Sequence, residues 1–167
     1  MSDVREHRYV SEDGRLSVKL NSVALAVMLS SSAEAGRRET GGILIGRYCD
    51  DGTTALVKEA TPKPKGSRFG GSWFQRGTDG LSLLLADRWK RGDYYLGEWH
   101  FHPDASSEPS GRDLATMREI ARNVRYHCKE PILLIVGGRP PERWNLTVTV
   151  TLAHEAARRL VKTADPD

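Results

Sequence analysis

The chain has 167 residues, of which 38% are apolar and 28% charged, and it carries a formal net charge of +3. That length suits one domain, and the composition excludes a collagen-like or low-complexity chain and wholesale disorder. The basic excess is small and dispersed; it permits an acidic partner but does not by itself argue for nucleic acid.

Residues 23–29, continued by 30–37, read as a buried helix ended by Gly36 and the pair Arg37-Arg38. Residues 41–48 read as a strand and 53–59 as its antiparallel partner, joined by the turn Asp50-Asp51-Gly52. The Pro-, Lys- and Gly-rich stretch 61–71 is expected to be a loop, and 72–75 a short strand. Residues 78–91 form a helix with Leu81, Leu84, Leu85 and Trp89 on one face, stopped by Gly92. Residues 93–101 are an aromatic-rich strand, 102–109 a polar loop, and 110–124 a second amphipathic helix striped by Leu114, Met117, Ala121 and Val124. The continuous apolar run 131–136 suits a central strand, and 143–151 alternates as another. Residues 153–162 read as a terminal helix, ahead of a frayed tail at 163–167. The order implies a mixed sheet flanked by helices, an α/β or α+β single domain over 1–167.

Cys49 and Cys128 form no Cys-x-x-Cys pair and no disulfide framework, and neither has a nearby histidine that would mark a thiol nucleophile. The N-terminus lacks an apolar signal core, and no apolar run approaches bilayer length, so a cytoplasmic protein is expected. His7, His127 and His154 have no partner at ligand spacing.

Chemistry concentrates in His100-Phe101-His102-Pro103 followed by Ser110-Gly111-Arg112-Asp113. On a strand, side chains two apart share a face, so His100 and His102 point together and Phe101 points away. Pro103 stops the strand, and Asp113 falls in the first turn of the next helix. Two imidazoles and a carboxylate form a ligand set typical of catalytic zinc, which leaves a fourth position for water and lowers that water's pKa towards about 7. Ser110-x-x-Asp113 is also a helix-capping signature, and the two roles are compatible. Hydrolysis further needs a base, for which Glu39, Glu98, Asp104 and Glu108 are candidates; Glu98 lies on the strand face of the two histidines. The glycine pair Gly41-Gly42 after Glu39 allows close approach of a neighbouring backbone or a substrate chain.

Glu39-Thr-Gly-Gly-Ile-Leu-Ile-Gly46, His100-Phe-His-Pro and Ser110-Gly-Arg-Asp113 together resemble the JAMM (JAB/MPN-type) metallopeptidases. The resemblance covers about residues 23–136. It implies a mixed sheet with flanking helices similar to cytidine deaminases. It implies zinc on His100, His102 and Asp113, Glu39 as general base, and Ser110 as a stabiliser of the oxyanion. Phe101 departs from the Ser or Thr usual in the family, and its alternation places it inward, away from the metal. No ligand position is missing, which favours an enzyme over a noncatalytic partner-binding MPN module.

Trp73-Phe74-Gln75-Arg76, then Leu81 to Trp89, then Tyr95-Leu-Gly-Glu-Trp-His100 resemble the bacterial subgroup of type II CBASS anti-phage operons. That likeness implies a deconjugating isopeptidase that cuts after the C-terminal tail of a ubiquitin-like-conjugated protein and frees a cGAS-like nucleotidyltransferase from its targets. An E1/E2-like enzyme would be the operon partner. The alternative is processing of a ubiquitin-like or sulfur-carrier protein. The extended tail would lie along an exposed strand edge. Trp73, Phe74 and Trp99 are candidates to line that groove, although alternation turns Trp99 from His100, and Arg68 and Arg76 are candidates to meet acidic groups.

Overall fold

The computed structural model describes residues 4–64 and 79–164. Its elements are β1 (Glu6–Ser11), β2 (Ser17–Asn21), α1 (Ser22–Ala35), β3 (Thr40–Tyr48), β4 (Thr54–Ala60), α2 (Asp79–Trp89), β5 (Tyr94–Pro103), α3 (Gly111–Arg122), a one-turn 3-10 helix (Val124–Tyr126), β6 (Ile132–Arg139), β7 (Arg143–Val150) and β8 (Arg158–Lys162). The expected strand at 72–75 and the groove candidates Arg68, Trp73, Phe74 and Arg76 lie outside the described residues.

The α/β reading holds, and the sheet is mixed. β2 with β4 and β5 with β6 run parallel, and the other neighbours run antiparallel. The sheet closes on itself in the order β1-β2-β4-β3-β5-β6-β7-β8. Closure comes from strands at both ends of the chain. The expected helix at 153–162 is instead β8, which pairs with both β7 and β1. Leu160 is 3% exposed while its neighbour Val161 is 66% exposed, the alternation of a strand buried on one face. Ladder pairing on two sides outweighs the helix propensity of Arg158 and Arg159 and of the Ala and Glu residues just before them.

α1 starts at Asn21, whose side chain accepts from the Ala24 N–H at 2.8 Å, and ends at Gly36, where φ is +62°. Its buried Ala24 and Met28 share one core with Leu44, Trp99, Phe101, Leu134 and Val136. The opposite faces of β3, β5 and β6 carry Ile43, Ile45, Tyr95, Leu133 and Ile135, packed with Leu81 of α2 and with Met117 and Ile120 of α3. These three strands are covered on both sides, which is why 131–136 is apolar without alternation. The α3 stripe is Met117, Ile120 and Ala121; Val124 lies beyond the helix and is exposed, as is Trp89 on α2.

One irregularity bears on the site. β3 and β5 shift register so that Leu44 pairs with Gly97 and Ile45 with Tyr95, leaving Leu96 as the extra residue. Gly97 has φ +150°, and a Cβ there would sit 1.9 Å from the Ile132 carbonyl oxygen. The bulge turns Tyr95 and Glu98, three positions apart, to the same side of the sheet.

Candidate metal centre

Past the bulge, β5 alternates strictly. Trp99 and Phe101 enter the α1 core, and Glu98, His100 and His102 face the other side. Trp99 is fully buried and donates its indole N–H to the Thr61 carbonyl at 2.8 Å, so it lines no groove. Phe101 packs inward as expected. β3 lies against this stretch, with Gly41 opposite His100. A Cβ on Gly41 would fall 2.4 Å from the Trp99 carbonyl, and one on Gly42 would fall 2.1 Å from that of Thr61. The glycine pair thus lets backbone approach backbone.

The loop after Pro103 is anchored to the end of β6. The Asp104 N–H donates to the Gly138 carbonyl at 2.8 Å, and Arg139 grips the Asp104 carboxylate with two nitrogens. Ser107 is buried against Thr147, hydroxyl to hydroxyl at 2.7 Å. This anchoring delivers the N-terminus of α3 to the histidines. There Ser110 caps the helix: its Oγ accepts from the Asp113 N–H at 3.1 Å, and the Ser110 N–H donates to Asp113 Oδ2 at 2.8 Å.

Asp113 also meets both imidazoles. Its Oδ1 lies 3.2 Å from Nδ1 of His100, and its Oδ2 lies 3.6 Å from Nε2 of His102. One ligand atom from each of the three residues falls within 4.8 Å of the others, and among the described residues this is the cluster able to hold a metal ion. Each ring has its second nitrogen held from behind. Nδ1 of His102 lies 3.2 Å from the Ser106 carbonyl oxygen, and Nε2 of His100 lies 3.3 Å from Oε2 of Glu98. Such outer acceptors fix the tautomer of metal-binding histidines, so the donor set fits a divalent ion.

The four candidate bases separate. Glu98 is 1% exposed, behind His100. Asp104 is taken by Arg139 and Glu108 by Arg159. Glu39 is exposed, makes no hydrogen bond or ion pair among the described residues, and precedes Thr40, which pairs with Phe101. The register therefore sets Glu39 at the His102 end of β5. His7, His127 and His154 take no part in the cluster. Cys49 and Cys128 are free thiols, and burial pushes that of Cys128 up to about 12, unsuited to a nucleophile.

Without a metal, the cluster makes stability depend on pH. Burial works against a charged His100, but hydrogen bonds to Asp113 and Glu98 outweigh it and raise its pKa from 6.5 to about 9. Burial also works against the Asp113 carboxylate, and His100 and the Ser110 N–H outweigh it, holding the pKa at about 2. The raised group contributes stability that is complete below pH 6.5 and lost as the pH rises through 9, on the order of 3 kcal/mol. The depressed group contributes above its ordinary 3.8 and loses that contribution as the pH falls through 2. Urea melts of the metal-stripped protein should show stability falling from pH 6.5 to 9, and His100→Ala should flatten that limb.

Residues 21–147 match the family described as prokaryotic homologs of the JAB domain. A protein of Enterobacter hormaechei named CD-NTase/cGAS isopeptidase is 44% identical over 157 residues, 94% of this chain and 87% of that protein. The probable metalloprotease y4qB of Sinorhizobium fredii is 30% identical over 124 residues, 70% of this chain and 73% of that protein. The solution structure of protein DSY2949 from Desulfitobacterium hafniense superposes with a TM-score of 0.58 at 20% identity, over 87% of this chain and 89% of that one, a likeness of fold alone.

Proposed function

This chain belongs to the family of prokaryotic homologs of the JAB domain, and from that premise we propose that it is a metal-dependent isopeptidase which detaches a cGAS-like nucleotidyltransferase from the proteins to which it has been conjugated. The observation that carries the reading is the convergence of His100, His102 and Asp113 around one point. The 44% identity to a CD-NTase/cGAS isopeptidase supports the substrate class, and the similarity to a probable metalloprotease supports the use of a metal. We take the metal to be zinc, which favours two imidazoles and one carboxylate with a fourth position open. We read residues 1–167 as one domain, since β1 and β8 tie both ends into the ring. The layering of α1 on one face of β3, β5 and β6, and of α2 and α3 on the other, supports the cytidine-deaminase-like arrangement.

When bound, the ion supplies Lewis acidity to a water and to the scissile carbonyl. Glu39 takes a proton from the attacking water and delivers it to the departing amine nitrogen as the carbon–nitrogen bond breaks. The Ser110 Oγ accepts from the Asp113 N–H, so its own hydrogen is available to the carbonyl oxygen as negative charge builds there. The substrate's extended C-terminal tail needs a strand to pair with, and the ring pairs its strands with each other. Pairing of β3 with β4 begins at Leu44, however, and Thr61 covers Ile43 and Gly42, so Thr40 and Gly41 pair only with β5 among the described strands. That backbone edge, beside Glu39 and His100, is where we place the tail, with an E1/E2-like enzyme supplying the conjugates in the cytoplasm. Among the described residues no helix is long and apolar enough to cross a membrane.

The test uses a cGAS-like nucleotidyltransferase joined through its C-terminus to a lysine of a carrier protein. Intact nucleotidyltransferase should be released, release should stop with a chelator, and zinc should restore it. An unaltered conjugate, or cleavage indifferent to the chelator, would overturn the reading.

A further inference from the structure

Glu98 is a buried acidic group that the mechanism above leaves unused. Its carboxylate is 1% exposed in a chain whose other acids lie mostly at the surface. Burying a carboxylate is costly unless partners compensate it, so its surroundings call for an explanation. Two contacts account for it. Oε2 lies 3.3 Å from Nε2 of His100, and the Tyr95 hydroxyl lies 3.5 Å from Oε1. The phenol reaches it because the extra residue Leu96 turns Tyr95 to the same side of the sheet, a turn that Gly97 permits with φ +150°.

The two histidines are then treated alike. His102 gives Nδ1 to the Ser106 carbonyl and turns Nε2 to Asp113; His100 gives Nε2 to Glu98 and turns Nδ1 to Asp113. A neutral imidazole carries its hydrogen on one nitrogen and a lone pair on the other. An acceptor fixed behind one nitrogen places the hydrogen there and leaves the lone pair facing Asp113. For His102 the acceptor is backbone, present in any sequence with this loop. For His100 it is a side chain, and its loss would free the ring to rotate or to change tautomer.

We propose that Glu98 is the positioning residue for His100, holding the ring's far nitrogen so that the near one is presented to the metal together with His102 and Asp113. Glu98 is thereby assigned neither the base, since it is closed to solvent behind the ring, nor a ligand, since it lies on the side of His100 away from Asp113. The inference rests on the metal-site reading above.

The test measures zinc affinity directly, by competition with a chromogenic chelator, for the wild-type chain, Glu98→Gln and Glu98→Leu. Circular dichroism and thermal melts establish that each is folded. Glutamine keeps the size and one acceptor oxygen, whereas leucine keeps the bulk alone. Loss of an outer-sphere partner weakens metal binding by about 10- to 100-fold, so affinity should fall about tenfold for Gln and about 100-fold for Leu. The cobalt-substituted Gln protein should also show shifted visible absorption bands. If Glu98 merely packs, a folded variant of either kind binds zinc as tightly as wild type, and that result overturns the proposal. Should leucine prevent folding, the glutamine variant decides by the same criterion. Wild-type protein without measurable zinc affinity would instead overturn the metal-site reading and this inference with it. Wild-type binding alongside unchanged variants would overturn this inference alone.

Discussion

Replacing Glu39 by glutamine should leave zinc content at the wild-type level and slow cleavage of the conjugate by about 100- to 10,000-fold, the usual worth of a positioned general base. The expectation rests on how the four candidate carboxylates are disposed. Asp104 and Glu108 are occupied by Arg139 and Arg159, and Glu98 is sealed behind His100. Glu39 is solvent-accessible at the His102 end of β5, on the residue preceding the β3 backbone that we assign to the substrate. Glutamine keeps its shape and removes only its capacity to carry a proton. Initial rates and elemental analysis of the same sample check both halves. A variant that cuts normally would show that Glu39 is not the base, and one that loses its zinc would make it a ligand.

Asp113→Ala should have the opposite signature, with loss of zinc together with activity and a pH-dependent loss of stability. The carboxylate joins His100, His102 and the Ser110 N–H, so its removal strips the centre of the ligand we propose there and the α3 helix of half its capping box. In metal-free protein, His100 at pH 6 is a buried cation that relies on Asp113 and Glu98. Removing a partner from a buried charge is costly, and roughly 3 kcal/mol is expected at pH 6. Above pH 9 the imidazole is neutral and the cost should be much smaller. Urea melts at the two pH values read this difference. Zinc retained, with only the small, pH-independent loss of a helix cap, would reduce Asp113 to half of the capping box.

Much of the centre was legible because strand alternation is a local property. His-x-His shares a face in any strand, Phe101 opposes it, and Ser110-x-x-Asp113 declares a helix start; the structure brings these together through the anchored 104–109 loop. The β3–β4 hairpin and α1 were equally legible, marked by Gly52 and Gly36 at positive φ. What escaped was non-local. β8 looks helical in isolation, and its strand state depends on β7 and β1 on either side. Spacing placed Glu98 beside the histidines but could not distinguish a base facing solvent from an acid behind the ring, because burial there depends on β3, β6 and the helices above them. The Leu96–Gly97 bulge that brings in Tyr95 leaves only a lone glycine as its signal.

The join between β1 and β8 spans three residue pairs, Tyr9 to Ser11 against Leu160 to Lys162. Around the circle it stands nearly diametrically across from β5. Transient unzipping of that short seam would therefore loosen the two ends of the chain while the imidazole-bearing strand kept both of its immediate neighbours.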